Sequence, residues 1–272
     1  MTRELDIAAI AAEIKAAQDG ARPIELVTSR CEEFDLESAY AVAGRIHEAR
    51  LREGADSVGR KIGFTNPAMW AALGVGEPIW GHVYDTTVVR VAGGRHTCRI
   101  GRFAEPRIEP EIVLHFRATP PEGGGFPAIL GCVDWVAHGL EIVQSHFPGW
   151  KFRAADAIAD SALHGTLLVG EPRPVESLGS DPIAALEFFT IDLSRNGEIR
   201  ATGKGSDVLG NPLAAIAHLV AVLVEQAAPP LRAGEIVTTG TVTVAQPIVP
   251  GETWRTALHG IVLPGLAVSF VA

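Results

Sequence analysis

Two glutamates one residue apart, Glu109 and Glu111, lie in a run whose residues alternate in polarity. The alternation is typical of a strand, and it places both carboxylates on the face opposite Ile108 and Ile112. Two carboxylates held so close repel each other, and a hard divalent cation relieves that repulsion best. The pattern also suits a strand whose polar face meets water, and Pro110 between the glutamates suggests a strand edge or a bulge.

A third carboxylate, Glu141, stands in a short apolar run predicted as a strand from Leu140 to Val143. An acid between apolar neighbours costs free energy unless it is paired or bound to a metal, although a solvated strand edge would also accommodate it. Three carboxylates from two strands would form a site with oxygen ligands alone. Such a site favours Mg²⁺ or Mn²⁺ over Zn²⁺.

Lys61 interrupts an otherwise apolar predicted strand, Val58–Phe64. Burial would lower the pKa of its ammonium group, as would a nearby metal ion, and a lysine with a lowered pKa can carry protons in catalysis. The alternative is a lysine at the strand edge whose ammonium group reaches water.

Other polar residues carry weaker signals. Asp156 and Asp160 could orient a ligand, but capping a helix is the commoner use of such residues. His138 and His164 have no partner at the helical spacing typical of zinc ligands, which favours structural roles. Residues 238–241, Thr-Thr-Gly-Thr, offer hydroxyl and N–H groups to a carboxylate or form a turn.

The composition is that of a globular protein, with 272 residues, 47% of them hydrophobic and a net charge of −9. No basic patch interleaves with aromatic residues, which argues against nucleic acid as a partner. Three widely spaced cysteines, Cys31, Cys98 and Cys132, predict free thiols in a reducing cytoplasm. No apolar run reaches the length needed to span a membrane, and the polar N-terminus does not resemble a signal peptide.

The chain changes character near residue 57. Before it, helices are predicted from Asp6 to about Gln18 and from Leu36 to Arg52. After it, short apolar runs alternate with Gly and Pro, which predicts a strand-rich body interrupted by helices near Pro127–Ala137 and Asn211–Ala227. We therefore expect a small helical region at residues 1–56, packed on one catalytic β-rich domain at residues 57–272. The predicted strands beyond those given above are Val88–Val91, Ile108–Phe116, Leu167–Val169, Leu186–Leu193, Ile236–Val244, Thr253–Leu258 and Leu266–Val271.

These motifs together resemble one family, the 2-keto-4-pentenoate hydratase and 4-oxalocrotonate decarboxylase branch of the fumarylacetoacetate hydrolase superfamily. The resemblance runs from about residue 36 to the C-terminus. It rests on the segments Gly59–Thr65, Leu73-Gly74-Val75, Pro78–Gly81, Arg107–Ile112, Leu140–Ser145, Asp156–Asp160, Val208–Leu213 and Ala233–Gly240.

The resemblance implies an α+β fold, a mixed β-roll, and a homo-oligomer of two or more copies. By the same resemblance, Glu109, Glu111 and Glu141 bind Mg²⁺ or Mn²⁺, and Lys61 is an acid/base group. The remaining implied site residues are a second catalytic group, Asp156, and the substrate-binding residues Asp85, Ser161, His164, Thr239 and Gly240.

Two positions depart from the family pattern. The family usually has arginine where His146 stands and asparagine where Ser161 stands. Loss of a fixed guanidinium weakens binding only for substrates that used it. We therefore expect poor activity on simple 2-hydroxypenta-2,4-dienoate and better activity on a different, bulkier or less acidic 2-oxo acid.

The implied function is a metal-dependent hydratase that acts on a 2-hydroxy-dienoate or 2-oxo-enoate acid in a catabolic pathway of the aromatic meta-cleavage type. Decarboxylation of a 4-oxalocrotonate-like acid needs the same metal and enolate. Hydrolysis of a C–C bond in an acylpyruvate would also need a base that activates water, for which His138 or His164 is the only hint. A diverged partner subunit with residual activity is a further alternative, against which the complete set of three glutamates and Lys61 argues.

Overall fold

The computed structural model describes residues 5–73 and 75–272. The first residues of the predicted polar N-terminus, and the central glycine of the Leu73-Gly74-Val75 motif, lie outside the described residues. The helices are α1 Ile7–Gly20, α2 Val27–Arg30, α3 Leu36–Arg52, α4 Trp70–Leu73, α5 Phe126–Leu130, α6 Ala154–Ala159, α7 Pro182–Phe188 and α8 Pro212–Glu225.

The strands fall in the region where a β-rich body was predicted. They are β1 Ser57–Gly63, β2 Ile79–Tyr84, β3 Val88–Arg90, β4 Arg95–Arg99, β5 Arg107–Phe116, β6 Val133–Val143, β7 His164–Val169, β8 Arg173–Pro174, β9 Thr190–Arg195, β10 Glu198–Lys204, β11 Ile236–Thr238, β12 Gln246–Pro247, β13 Thr253–His259 and β14 Ala267–Val271.

The N-terminal helices begin where capping residues satisfy their free N–H groups. Asp6 accepts a hydrogen bond from the Ala9 amide at 2.9 Å, and Asp35 accepts one from the Ser38 amide at 2.9 Å. The apolar face of α3 packs on α6 of the body and on α1, whose buried Ile14 belongs to the same hydrophobic cluster. The helical region therefore shares one hydrophobic core with the body, while the boundary at residue 57 stays a prediction.

Two sheets form the body. The larger has the order β2-β1-β11-β5-β6-β7-β3, with β12 beside β5 and β8 beside β6. The smaller has the order β10-β9-β13-β14-β4. The pairing is mixed, because β1–β11, β3–β7 and β14–β4 are parallel and the other pairs are antiparallel. This mixed helix and sheet architecture agrees with the predicted α+β class.

Strand β5 lies inside the larger sheet, between β11 and β6, but β11 pairs only with Val113–His115 and β12 only with Arg107 and Ile108. Pro110 therefore stands where β5 has no partner strand on that side, which agrees with the suggestion of a local strand edge. The carbonyl oxygen of Pro110 accepts a hydrogen bond from the Val242 amide at 2.9 Å, on the side of β5 where β11 has already ended. The N–H and C=O of a strand residue point to the same side, so the missing N–H of proline removes no ladder bond there.

Three predicted elements were wrong in part. The helix predicted near Pro127–Ala137 ends at Leu130, because the residues from Val133 onward pair with β5 and belong to strand β6. The strand predicted over Leu186–Leu193 begins as helix α7, which Asp181 caps and Pro182 starts. The predicted strand Ile236–Val244 ends at Thr238 as β11. Sequence reasoning missed strands β2, β4, β8, β10 and β12.

Helix α8, together with the turn before it (Gly205–Glu225), is long and apolar enough by composition to cross a membrane. In this protein its apolar side is part of the core, where Leu213, Ile216 and Leu219 are fully buried. The helix is therefore accounted for as a core helix. Cys31, Cys98 and Cys132 are free thiols, as predicted.

Candidate active site

The three predicted metal-binding glutamates meet in the middle of the larger sheet. Glu109 of β5 lies directly opposite Glu141 of β6 in the antiparallel register, and Glu111 follows on the same face of β5. One carboxylate oxygen from each lies within 4.8 Å of one from each of the others. Glu111 and Glu141 are fully buried, so the structure brings together three acids that would repel one another without a counter-charge.

Their surroundings separate the pKa values of these acids. Burial, and then the Glu141 charge, raises the pKa of Glu109 to about 7, although Lys61 opposes the shift. Burial, followed by the charges of Glu141 and Glu109, raises the pKa of Glu111 well above its usual value. Burial alone would also raise the pKa of Glu141, but Lys61 and then His164 overcome it and lower that pKa to about 2. Glu141 is thus the acid of the three held most firmly in its ionised form.

Lys61 is buried beside this cluster on strand β1. Its Nζ donates to the Ala162 carbonyl at 2.9 Å and lies 3.4 Å from Glu141 Oε2. Burial lowers the pKa of Lys61, but the charges of Glu141, Glu109 and Glu111 outweigh it, and the pKa is raised. The expectation of a lowered Lys61 pKa is therefore wrong when the three carboxylates carry no metal ion. A divalent cation among the carboxylates would cancel two of those negative charges.

A left-handed turn presents the carbonyl that holds Lys61. Ser161, Ala162 and Leu163 have φ values of 53°, 52° and 64°, a conformation that costs non-glycine residues about 1–2 kcal/mol each. Gly81 of β2 lets this turn approach, because a Cβ there would lie 2.9 Å from the Ser161 carbonyl oxygen. Strain in the turn is thus maintained by the surrounding packing, as is common near functional sites.

The predicted Thr239 and Gly240 brace Glu111. The Gly240 amide donates to Glu111 Oε2 at 2.8 Å, and the Thr239 amide and hydroxyl both donate to the Ile112 carbonyl. Gly240 has a φ of 94°, and a Cβ there would lie 1.9 Å from the Thr65 hydroxyl oxygen, so only glycine fits. The segment does offer N–H groups to a carboxylate, but in the structure that carboxylate belongs to Glu111. A substrate contact at Thr239 or Gly240 stays a prediction.

His164 braces Glu141 in the same way. Its Nδ1 lies 2.7 Å from Glu141 Oε1 and its Nε2 lies 2.8 Å from the Thr87 hydroxyl. His138 is also bonded at both ring nitrogens, to the Glu111 carbonyl at 3.0 Å and to the Thr256 hydroxyl at 2.9 Å. Neither imidazole has a free nitrogen with which to activate water.

A cavity opens beside Lys61 and Glu109. Its walls are partly aromatic and its remaining lining carries several polar groups. The lining residues are Lys61, Gly63, Phe64, Thr65, Asn66, Ile79, Arg107, Glu109, Val143, Trp150, Phe152, Ala162, Leu163, Thr241, Thr243, Val244 and Ala245.

Arg107 and Trp150 are functional candidates that the sequence reasoning did not assign. The guanidinium carbon of Arg107 lies 4.1 Å from the centre of the Trp150 ring. Arg107 stands two residues before Glu109 on the same face of a strand, and that spacing was a usable signal. Trp150 comes from a distant loop, and no pattern in the sequence connects it with the glutamates.

Several other predicted residues do not line this cavity. Asp156 caps α6 and accepts hydrogen bonds from the Thr28 amide and hydroxyl at 3.0 and 2.6 Å, which ties the helical region to the body. Asp85 accepts hydrogen bonds from the amides of Asp56 and Thr86. Their predicted catalytic and substrate-binding roles stay predictions without a direct contact to support them.

The two positions that depart from the family pattern also lie outside the cavity lining. His146 is buried, with Nδ1 at 2.8 Å from Asp160 Oδ2, and the Ser161 hydroxyl accepts a hydrogen bond from Gln18 Nε2 at 3.0 Å. Ser161 and His164 line a separate depression that also contains Thr87. Any influence of these positions on the substrate would be exerted through the left-handed turn and Glu141.

The residues present fit a divalent cation. In the described part of the chain, Glu111 Oε1 is buried without a hydrogen-bond partner, and Glu141 Oε2 is buried with no hydrogen bond beyond its ion pair with Lys61 at 3.4 Å. Buried carboxylate oxygens without a partner are costly unless a cation binds them. Three carboxylates and no thiolate or imidazole in the cluster suit a hard ion such as Mg²⁺, Mn²⁺ or Ca²⁺.

Comparisons with known proteins give a family and a fold. The family described as fumarylacetoacetate (FAA) hydrolase C-terminal matches residues 82–263. A 2-keto-4-pentenoate hydratase from Paraburkholderia phymatum is 31% identical over 96% of this chain and 97% of its own length.

The 4-oxalocrotonate decarboxylase of Pseudomonas putida G7, complexed with magnesium and adipate, has a similar structure. It superimposes with a TM-score of 0.89 at 27% identity, covering 99% of this chain and 100% of that chain. A second structure of that enzyme, with calcium and acetate, has a TM-score of 0.87 at 26% identity and the same coverage. The predicted family, fold and relationship to these lyases are confirmed, and a divalent metal is supported without a choice of element.

Proposed function

Because this chain belongs to the fumarylacetoacetate hydrolase C-terminal family, we propose that it is a metal-dependent lyase of the 2-keto-4-pentenoate hydratase type. Its substrate is a small 2-hydroxy-dienoate or 2-oxo-enoate acid, to which it adds water, in a catabolic pathway of the aromatic meta-cleavage type. The observation that carries this proposal is the direct pairing of Glu109 with Glu141, beside Glu111 and Lys61, at one end of a cavity.

The metal of this proposal is Mg²⁺, held by Glu109, Glu111 and Glu141, with Mn²⁺ as a substitute. When bound, it supplies positive charge toward the oxygen atoms of a 2-oxo acid as negative charge develops on them. The chain prepares the ligands, since the Gly240 amide orients Glu111 and His164 orients Glu141.

Lys61 is the proton carrier of the proposal. The Ala162 carbonyl and Glu141 fix its Nζ from one side, and the side chain lines the cavity where the substrate would lie. Its ammonium proton can be passed to a carbon atom of the conjugated substrate, and the proton lost by the substrate's 2-hydroxyl group restores the ammonium. The rings of Phe64, Trp150 and Phe152 in the cavity wall limit the access of water and offer faces to a planar conjugated chain.

Decarboxylation of a 4-oxalocrotonate-like acid is the second candidate, favoured by the similarity to the decarboxylase structure over nearly the whole chain. Hydrolysis of an acylpyruvate is disfavoured, because both nitrogens of His138 and of His164 are engaged in hydrogen bonds. A role as a diverged partner subunit with residual activity is disfavoured by the complete set of glutamates and Lys61. We further propose a homo-oligomer in the cytoplasm.

The function is tested with a panel of acids at fixed Mg²⁺: 2-hydroxypenta-2,4-dienoate, 4-oxalocrotonate and an acylpyruvate. Loss of enol absorbance measures turnover, and release of CO₂ separates decarboxylation from hydration. We expect turnover of a dienol acid that disappears after removal of divalent metal and returns with Mg²⁺. No turnover of any dienol acid, or turnover that is indifferent to metal removal, would refute the proposal.

A further inference from the structure

The turn that presents the Ala162 carbonyl to Lys61 is also held by the N-terminal helical region. Helix α1 contacts it through Gln18, whose Nε2 donates to Asp160 Oδ1 at 3.1 Å and to the Ser161 hydroxyl at 3.0 Å. Both N–H groups of this amide are thereby used, one on the residue before the left-handed turn and one on its first residue. A side chain of α1 thus contacts the segment that fixes the proposed proton carrier.

The orientation of the Gln18 amide is set by its partners. Its Oε1 accepts a hydrogen bond from Arg50 of α3 at 3.1 Å. A guanidinium only donates and a carboxylate only accepts, so the reverse orientation would set the amide oxygen against Asp160 and its N–H groups against Arg50. The same guanidinium forms ion pairs with Asp19 at 2.5 Å and Glu53 at 3.5 Å, which fix its position. Gln18 is therefore locked between α3 and the turn.

Asp160 transmits this constraint to the backbone of the turn. Its buried carboxylate lies 2.8 Å from His146 Nδ1, and its carbonyl accepts a hydrogen bond from the Leu163 amide at 2.9 Å. The Leu163 carbonyl accepts one from the Gln144 amide at 2.9 Å. Among these bonds, those from Gln18 come from outside the body. The conformation of the turn, which persists only where its surroundings enforce it, therefore depends on α1.

We infer that Gln18 is a positioning residue for the reaction, because it holds the turn at residues 161–163 so that the Ala162 carbonyl fixes Lys61 Nζ beside Glu141. The inference rests on the proposed function in one respect, which is that Lys61 carries the proton. Gln18 is not among the described residues that line the cavity. Its effect should therefore fall on the rate of proton transfer and not on the affinity for substrate or metal.

Turnover by the Gln18→Met variant is the first test, since methionine keeps the length of the side chain and loses its hydrogen bonds. With a dienol acid at fixed Mg²⁺, we expect kcat to fall roughly 10- to 100-fold, because a small misplacement of a catalytic group costs that much. KM and Mg²⁺ affinity should change little. Arg30→Met is the matched control: it removes an ion pair that joins α2 to Glu13 of α1, and kcat should stay unchanged. Unchanged kcat in Gln18→Met, or equal losses in both variants, would overturn the inference.

Two further variants separate the hold on the turn from the docking of α1. Gln18→Glu keeps an oxygen for Arg50 but has no N–H for Asp160 and Ser161, so we expect kcat to fall at least as far as in Gln18→Met. Wild-type kcat in Gln18→Glu would show that the contact to Arg50 suffices and would refute the inference. Added to Lys61→Met, Gln18→Met should cause no further loss of kcat, whereas an additive loss would show a route other than Lys61 and would also refute it.

Hydrogen exchange separates this inference from the proposed function, because it needs no turnover. The Leu163 and Gln144 amides bond within and onto the turn, and their exchange, measured by NMR, should be roughly 10-fold faster in Gln18→Met and unchanged in Arg30→Met. Faster exchange, in a protein whose wild type turns over no acid, would reject the lyase and retain the hold of Gln18 on the turn. Unaltered exchange at both amides would reject the role of Gln18, whichever acid the wild type turns over.

Discussion

At the scale of single residues, Lys61 and three glutamates form a charge cluster in which each group controls the others. Lys61 keeps Glu141 ionised, and the carboxylates raise the pKa of Lys61 against the effect of burial. Such mutual perturbation of pKa values is characteristic of functional sites, because burying several charged groups together costs free energy. It also implies that altering one member changes the protonation of the rest.

Replacing Lys61 by methionine tests its role as a proton carrier. Methionine keeps much of the stem, so we expect folding to persist and divalent-metal binding to remain. Turnover should fall by about 10² to 10⁴, the usual value of general acid–base catalysis. The measurement is kcat together with Mg²⁺ affinity. Near-normal kcat in this variant would assign Lys61 to structure alone.

His164 is expected to act on the metal through Glu141. The His164→Asn variant removes the contact to Glu141 Oε1, and we expect the affinity for Mg²⁺ or Mn²⁺ to fall roughly 10- to 100-fold. Glu141→Gln should abolish binding. His259→Asn serves as the control, since His259 pairs with Asp192 on the surface. The readout is calorimetric titration of the metal-free protein, and unchanged affinity in His164→Asn would show that Thr87 and Lys61 suffice to orient the site.

At the scale of elements, the site depends on a left-handed turn held against strand β2. The turn at residues 161–163 presents the Ala162 carbonyl to Lys61, and Gly81 provides the space that it occupies. A turn of three consecutive non-glycine residues with positive φ persists only where neighbouring elements enforce it. The geometry at Lys61 is therefore a property of β1, β2 and this turn together.

Gly81→Ala tests that dependence. The added methyl would approach the Ser161 carbonyl, so we expect a loss of about 1–3 kcal/mol in the free energy of unfolding, together with lower kcat. Gly44→Ala is the control: Gly44 lies within α3 with nothing near its Cβ position. Alanine there should raise stability by about 0.5–1 kcal/mol and leave kcat unchanged. Unaltered kcat in Gly81→Ala would show that the turn does not position Lys61.

At the scale of the whole molecule, the helical region and the body share buried groups that respond to pH. His82 of β2 stacks on His47 of α3 with ring centres 3.5 Å apart, and Arg60 and Tyr84 lie nearby. Burial, and then the charges of Arg60 and His47, lowers the pKa of His82 to about 2. The folded protein therefore holds this imidazole neutral between the two main parts of the structure.

This shift predicts a loss of stability in acid. The unfolded chain binds a proton at His82 below about pH 6.5, whereas the folded protein does so only near pH 2, so stability falls as pH drops below about 6.5. His82 should contribute about 1–2 kcal/mol of that loss by pH 5. His82→Phe keeps the stack and removes the titration, so its free energy of unfolding should depend less steeply on pH between 7.5 and 5. Identical slopes in denaturant titrations of the two proteins would contradict the assignment.

The sequence by itself determined which residues form the carboxylate cluster, because residue types and local periodicity can be read without the tertiary structure. Period-two alternation placed Glu109 and Glu111 on one face, and an acid in an apolar run singled out Glu141, so the carboxylate cluster was predicted correctly. The helix that Asp6 caps was predicted for the same reason, since a cap acts on amides of its own first turn.

Only the tertiary structure decided which residues surround that chemistry. Strand register placed Glu109 opposite Glu141, and packing turned the Gly240 amide and His164 toward the glutamates. Contacts of this kind join segments far apart in the chain, and no local period encodes them. The same holds for Arg107 on Trp150: the strand face could be read from alternation, but the ring that orients the guanidinium comes from a loop more than forty residues away.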